Sequence, residues 1–339
     1  MTTYNALNER MKRQYFTYLS EAQGHSEQTI DGVAKAIARF ESYTEHKDFK
    51  KFHIEQAKAF KRDLSDQRAQ RSKEPLSKAT LYATLMALKR FFVWLAGQPG
   101  YKSRISYSDA EYFNLSNKEI RIARATRPSR VPTLEQIQHV IRNMPIDTEI
   151  NRRDRALIAF TILTGARDGA IASLKLRHVD LATRTIDQDA REVRTKFSKS
   201  FLTVFFPIGN EIEQIVVDWV NFLHKEKLWG LDDPLFPATR VELRDDDRFP
   251  AVGLDRKPWT TASRIRIVFK TAFTSAGLPY FNPHSFRNTL ALLAQRRCKT
   301  PEQLKAWSQN LGHERLLTTL TSYGNIDGYR QAEIIRAMA

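Results

Sequence analysis

From Arg167 onward the chain offers a series of cations and imidazoles that ends in a tyrosine. Arg167 follows Thr164-Gly165-Ala166 at a break in a helical pattern. Lys196 and Lys199 lie around a turn between β-like segments. His284 and Arg287 stand three apart behind Asn282-Pro283. Leu311-Gly312-His313 then leads, through leucines and small hydroxyls, to Tyr323-Gly324. A tyrosine hydroxyl, with an ordinary pKa near ~10, attacks only after proton removal or in a strongly cationic site. Two arginines with paired donors can hold the non-bridging oxygens of a phosphodiester. They also stabilise the charge that builds in a pentavalent transition state. A lysine can give the departing oxygen its proton. Taken singly, each residue has a plain structural reading. An arginine after a glycine caps a helix end, and hairpin lysines keep a strand edge soluble. A histidine and an arginine three apart share a helix face, and a lone tyrosine packs.

Elements must bring these groups together, and the chain is long enough for two domains with real cores. It has 339 residues, with 54 Lys and Arg against 38 Asp and Glu, a net charge of +16. A chain this basic points to a polyanionic partner, with nucleic acid first. No stretch approaches the ~20 consecutive apolar residues of a membrane span. The N-terminus, Met1-Thr2-Thr3-Tyr4-Asn5, lacks an apolar signal core. One cysteine, Cys298, excludes an internal disulfide framework and a multi-cysteine metal site, and a reducing, cytoplasmic setting fits.

Residues 1–116 read as four helices in a small bundle. Met11, Tyr15, Phe16 and Leu19 mark the first over Asn8 to Gln23. Ser26 is placed to cap the second, with Ile30, Val33, Ile37 and Phe40 as one stripe. His53 to Arg71 is a charged third helix. Ser77 caps the fourth, and Gly97 with Pro99-Gly100 ends it. Residues 1–125 hold 22 Lys and Arg against 14 Asp and Glu, +8 of the total, which leans toward phosphate contacts. Residues 117–130 read as a basic linker with Lys118, Arg121, Arg124, Arg127 and Arg130, and Pro128 discourages a continuing helix.

The second unit, 131–339, opens with a capping box at Thr133 and Gln136. A dense apolar helix from Arg153 to Leu163 must be buried, and helix restarts from Ala170 to Leu176. Thr183 to Asp187, Glu192 to Lys196 and Phe201 to Phe206 read as a three-stranded antiparallel sheet turning at Ser198-Lys199-Ser200. Helix follows over Glu211 to Lys227. Trp229 to Arg256, rich in Gly, Pro and Asp, reads as loop, with Asp245-Asp246-Asp247 a solvated run. Helices over Thr261 to Ala276, Pro283 to Arg297, Pro301 to Leu311 and Leu316 to Ser322 follow, and a tail spans 327–339.

The order and spacing of TGxR, hairpin Lys, HxxR and LGH…Tyr resembles the catalytic domain of the tyrosine recombinases, the phage-integrase family. The resemblance covers the whole chain. It implies a mainly α fold with a small antiparallel sheet: a SAM-like, core-binding helical bundle, then an α+β catalytic domain. It implies that Tyr323 is the nucleophile and forms a 3′-phosphotyrosyl DNA intermediate. Arg167 and Arg287 would bind the scissile phosphate, and His313 would donate a hydrogen bond to it. Lys196 would protonate the leaving 5′ oxygen, with Lys199 the alternative, and His284 would accept a proton or orient Tyr323. Neither cofactor nor metal is implied, because arginines fill the electrostatic role. Two departures stand out: the family's acidic residue three after the first arginine is Ala170 here, with Asp168 adjacent, and ten positions separate His313 from Tyr323.

The implied protein is a site-specific recombinase working through a Holliday junction. Its two domains would clamp duplex DNA, as a dimer on each site and a homotetramer on two, with DNA-bending accessory proteins as further partners and no membrane. Arg121, Arg124, Arg127, Arg130 and Lys199 would contact DNA, in the cytoplasm at the nucleoid. The tail repeat of Tyr329, Ala332, Ile335 and Met338 would fold back on its own domain or, the reading favoured here, pack into a neighbouring subunit, and Tyr329 is a weaker rival nucleophile. The alternatives are a type IB topoisomerase-like or telomere-resolving relative, and a non-cleaving DNA-binding protein of the same fold.

Overall fold

The computed structural model describes residues 4–68, 74–125, 130–242, 250–313 and 328–338. The chain divides into two compact units, Met1–Thr126 and Arg127–Ala339. The described residues are mainly helical, with two small antiparallel sheets among them, one of three strands and one of two.

Helices of the first unit begin where short polar side chains can take up orphan N–H groups. Helix α1 (Ala6–Thr17) starts at Asn5, whose side chain accepts from the N–H groups of Leu7 and Asn8. Helix α2 (Glu27–Tyr43) starts at Ser26. That hydroxyl bonds Thr29 Oγ1 at 3.1 Å instead of capping the backbone. Helix α3 spans Ile54–Asp66, and α4 (Lys78–Ala96) starts where Ser77 Oγ accepts from Thr80 N at 3.1 Å. The stretch read as the start of the linker is helix α5 (Asn117–Arg124), with a reciprocal capping box between Ser116 and Glu119.

Helix α4 comes nearest to a membrane-length segment among the described residues, though Lys78, Lys89 and Arg90 interrupt its apolar run. Its 19 residues, with hydropathy 1.2, are long and apolar enough by composition to cross a membrane. Yet Leu85, Leu88, Phe91, Phe92 and Leu95 are wholly buried among Phe40, Phe49, Phe52 and Phe113. The Phe52 and Phe92 rings stack with centroids 4.0 Å apart. Burying each such side chain stabilises by roughly 1.5–3 kcal/mol, so this is a bundle's central helix.

The second unit packs around α7 (Glu149–Thr164), whose Ala156 to Thr164 are all buried. Helix α6 (Leu134–Asn143) precedes it behind the Thr133–Gln136 capping box, and the single-turn α8 (Asp168–Ile171) follows. The sheet runs β1 (Val179–Asp180), β2 (Thr185–Gln188) and β3 (Phe201–Val204), all antiparallel. Asp187 faces Leu202 and Thr185 faces Val204. Strand β3 is an edge, and the Asn310 amide covers it: Val204 N donates to Asn310 Oδ1 at 2.7 Å and Asn310 Nδ2 donates to Val204 O at 2.8 Å.

Two expectations fail here. Glu192 to Lys196 is not a strand, because Glu192 N and Val193 N both turn back to Asp189 O, at 3.0 and 2.7 Å. The third strand is instead β1. After α9 (Asn210–Lys225) the expected loop contains a hairpin, β4 (Pro237–Val241) with β5 (Ala251–Pro258). Its register shifts at Pro237/Ala238 and at Arg240/Val241, which breaks the alternation that would mark it in sequence. Asp245, Asp246 and Asp247 lie outside the described residues. Helices α10 (Ser263–Ser275), α11 (Pro283–Arg297), α12 (Pro301–Asn310) and α13 (Gly328–Arg336) complete the unit.

Candidate active site

Two helix ends and one helix start meet at the site. Helix α7 stops at Gly165, which takes a left-handed φ of 61°. A Cβ there would lie 2.7 Å from Leu311 Cδ2 and 3.0 Å from Leu290 Cδ1, so both conformation and space call for glycine. Thr164 Oγ1 donates to Phe160 O at 2.8 Å and accepts from Ala166 N at 3.1 Å. This fixed turn delivers Arg167 as the residue at the start of α8.

Helix α12 stops in a Schellman turn. Gly312, at φ 67°, donates its N–H to Gln309 O at 2.7 Å, and His313 N donates to Ser308 O at 3.1 Å. A Cβ on Gly312 would come within 2.7 Å of the Phe201 ring, so β3 and the turn that carries His313 are in close contact.

Arg287 joins the two turns. Asn282 caps α11 by accepting from Ser285 N at 3.1 Å, and Pro283 occupies the first turn, where no N–H is needed. The helix then carries Arg287 inward until it is 3% exposed. Its Nη1 donates to Gly165 O, and its Nη2 donates to Leu311 O at 2.5 Å. Nη2 also stands 3.0 Å from His313 Nε2. Arginine has no acceptor, so His313 Nε2 accepts and the neutral ring carries its proton on Nδ1.

The remaining expected groups gather electrostatically. Partial burial and the charges of Arg287, Arg167 and His284 push the His313 pKa down to about 4. Crowding that withholds water lowers the His284 pKa, as do the charges of Arg287, Arg167 and Lys196, with Asp168 opposing. Each histidine therefore feels both arginines, and His284 also feels Lys196. Burial lowers the Arg167 pKa from its ordinary value. Lys196 is exposed and begins a short 3₁₀ turn, Lys196–Ser198, between β2 and β3; it is not the end of a strand as expected. Lys199 follows that turn.

Position 170 offers no acid: Ala170 is 1% exposed in the core. The neighbouring Asp168 pairs with Arg266 at 2.9 Å, and among the described residues Arg167 makes no ion pair. The Asp168–Arg266 pair was not legible in sequence, because 98 positions separate its members.

Tyr323, expected as nucleophile, lies outside the described residues, as do Arg127 and the predicted helix Leu316 to Ser322. Tyr329 falls on α13. On α5, Arg124 Nη2 donates to Tyr82 Oη at 2.6 Å, with its guanidinium 5.2 Å from that ring's centroid. Arg121 and Arg130 are exposed. Among the described residues no cluster of His, Cys, Asp and Glu could hold a metal ion.

Residues 13–98 match the phage integrase, N-terminal SAM-like domain. Over 220 residues the chain is 25% identical to the tyrosine recombinase XerC of Ralstonia pickettii (strain 12J), covering 61% of this chain and 60% of that protein. It thus spans less than two thirds of that relative's length. Its structure is similar to a lambda integrase dimer bound to a COC′ core site, with TM-score 0.63 and 15% identity, covering 94% of this chain and 78% of that one. It is also similar to the Tn1549 transposon integrase in complex with circular intermediate DNA, with TM-score 0.59 and 14% identity, covering 96% and 98%. At these identities the structural likeness is one of fold.

Proposed function

We propose that this chain, with its tyrosine-recombinase fold and its phage-integrase SAM-like domain, is a site-specific DNA recombinase. What carries the reading is the Arg287 fork, which ties the Gly165 turn before Arg167 to the Leu311 turn before His313. The fork reaches backbone 122 positions away in sequence, which supports one shared site.

Tyr323 Oη attacks the scissile phosphorus and forms a 3′-phosphotyrosyl bond. Arg167 and Arg287 take the non-bridging oxygens and stabilise their growing charge. His313, neutral near pH 7, offers its Nδ1–H to one of them. His284, also held toward neutrality, takes the phenolic proton or orients the ring. The P–O5′ bond breaks, its electron pair goes to O5′, and Lys196 Nζ supplies the proton. Reversal with a second 5′ hydroxyl rejoins the strand, so the bond energy is conserved and no ATP is needed.

The XerC likeness, the SAM-like match and the net charge of +16 support double-stranded DNA as the partner, acting at the nucleoid. A homotetramer on two sites, one dimer on each, fits the exposure of Ile335 (61%) and Met338 (76%) on the tail, an apolar face suited to a neighbouring subunit. DNA-bending accessory proteins would be further partners.

The test is covalent capture. The full chain is incubated with a randomised duplex library, and SDS-stable protein–DNA adducts are recovered, sequenced and resynthesised. Wild type is expected to yield a consensus duplex and a 3′ adduct on it. Tyr323→Phe should bind that duplex without forming the adduct, while Tyr329→Phe should retain it. No adduct from wild type, or an undiminished adduct from Tyr323→Phe, would overturn the assignment. Relaxation of a single plasmid without exchange between two sites would favour a topoisomerase-like activity.

A further inference from the structure

The loop that carries Lys196 is anchored through its first half. Residues 189–200 connect β2 to β3. In their first half, Val193 is 2% exposed within the core. Glu192 Oε2 lies 2.9 Å from His178 Nε2 and 2.7 Å from Arg177 Nη2. His178 is itself fixed, because its Nδ1 accepts from Lys175 N at 2.9 Å.

The firmest anchor is Arg194, two residues before Lys196. Its backbone N–H donates to Ser173 Oγ at 2.9 Å. Its Nη1 donates to Thr260 O at 2.5 Å, and its Nη2 donates to Ala172 O at 3.2 Å and to Trp259 O at 2.8 Å. Ala172 and Ser173 directly follow α8, the helical turn that begins at Arg167. Trp259 and Thr260 lie between β5 and α10, the helix whose Arg266 holds Asp168. One exposed guanidinium thus binds three backbone carbonyls from two other segments. An exposed arginine gains little by doing so, since water would serve it as well. The consequence is geometric: the lysine loop is cross-linked to the segment that positions Arg167.

We infer that Arg194 is a positioning residue: its fork sets the base of the β2–β3 loop so that Lys196 reaches the leaving 5′ oxygen of a phosphate held by Arg167. This rests on the recombinase reading above. Arg194 touches neither DNA nor the reacting atoms in this account. Without the fork the loop still connects its strands, and the arginines still bind phosphate. What is lost is the position of the proton donor when the P–O5′ bond breaks. The break leaves an electron pair on O5′, and the Lys196 Nζ proton completes the hydroxyl; on rejoining, the proton returns.

A leaving group that needs no proton separates this role from a general structural one. The duplex recovered by adduct capture is synthesised twice, with oxygen and with sulfur at the bridging 5′ position of the scissile phosphate. A thiolate departs unprotonated at neutral pH far more readily than an alkoxide does. Full-length wild type, Lys196→Ala, Arg194→Ala, Arg194→Lys, the double variant Arg194→Ala/Lys196→Ala and the neighbouring Arg191→Ala are compared by adduct rate. On oxygen DNA, Lys196→Ala is expected to lose roughly 10²-fold or more, and both Arg194 variants at least about tenfold. On sulfur DNA all three should return to within about threefold of wild type. The double variant should be no slower than Lys196→Ala, and Arg191→Ala should match wild type on both.

Equal losses for the Arg194 variants on both substrates, whether from misfolding or from weaker phosphate binding, would overturn the inference. So would no loss on oxygen DNA, or losses that multiply in the double variant. If Lys196→Ala itself is not rescued by sulfur, Lys196 is not the donor and the inference falls, though the recombinase reading stands. If wild type forms no adduct, the recombinase reading fails first and takes this inference with it.

Discussion

Gly165→Ala, paired with Gly277→Ala, separates backbone strain from crowding at the site. Both glycines belong to the second unit and both are left-handed, at φ 61° and 71°. Their surroundings differ. A Cβ at Gly277 meets nothing within 4 Å, whereas one at Gly165 lies 2.7 Å from Leu311 Cδ2 and 3.0 Å from Leu290 Cδ1. Each alanine in a left-handed conformation costs about 1 kcal/mol. Overpacking a buried site adds about 1–3 kcal/mol. The expected losses are therefore about 1 kcal/mol for Gly277→Ala and about 2–4 kcal/mol for Gly165→Ala, read by denaturant unfolding at constant slope. A functional gap should accompany the energetic one. Displacing Leu311 moves the carbonyl that Arg287 holds and, with it, the turn that carries His313. Under conditions where both variants are more than nine-tenths folded, Gly277→Ala should form the covalent adduct at the wild-type rate and Gly165→Ala much more slowly. Equal destabilisation by the two alanines, or full adduct formation by a folded Gly165→Ala, would refute the claim that crowding at Gly165 holds the site together.

The depressed His313 pKa, about 4 against 6.5 for the free side chain, gives a signed pH effect. Between those values the unfolded chain binds a proton that the folded chain resists, so stability is complete above about pH 6.5 and falls as pH drops toward 4. Discounted for the partial exposure of the ring, the loss is about 1 kcal/mol. Comparing unfolding at pH 7 and pH 5 should show the drop shrinking in His313→Gln; an unchanged drop would assign it elsewhere. For the exposed Arg121 and Arg130, DNA affinity measured against salt should show each alanine variant flattening log Kobs versus log salt by roughly one unit. A change in affinity at constant slope would mean that they do not meet phosphates.

What was legible in the sequence was local. Ser77, Thr133 with Gln136, and Asn282-Pro283 announced helix starts because a capping oxygen or a proline acts within one turn of its own position. Gly165 and Gly312 marked helix ends for a similarly local reason. The TGxR, HxxR and LGH motifs could be read because each sits on such a terminus. The strand expected over Glu192 to Lys196 failed because Val193 and Thr195 favour extended backbone, whereas the turn at Asp189 and the remote partners of Arg194 decide the conformation. The β4–β5 hairpin was hidden by its register shifts, whereas α4 runs from the Ser77 cap to the Gly97 stop as read, because both signals are local. The linker expected from residue 117 instead opens as a helix, because Ser116 and Glu119 form a capping box that the run of cations obscured.

Ala170 supplies no acid beside Arg167, and the site's second arginine is held by backbone oxygens. Arg287 is stabilised by two carbonyl oxygens, of Gly165 and Leu311, whose dipoles carry only partial charge. Asp168 is engaged by Arg266. Burial first, and then the surrounding cations, hold both histidines toward neutrality. The pocket thus gathers Arg167, Arg287 and Lys196 beside the two histidines. On the recombinase reading, a phosphate would meet these cations, and the pentavalent transition state, carrying more negative charge than the ground state, would meet them more favourably. The carbonyls of Gly165 and Leu311 fix the Arg287 guanidinium where that charge would develop.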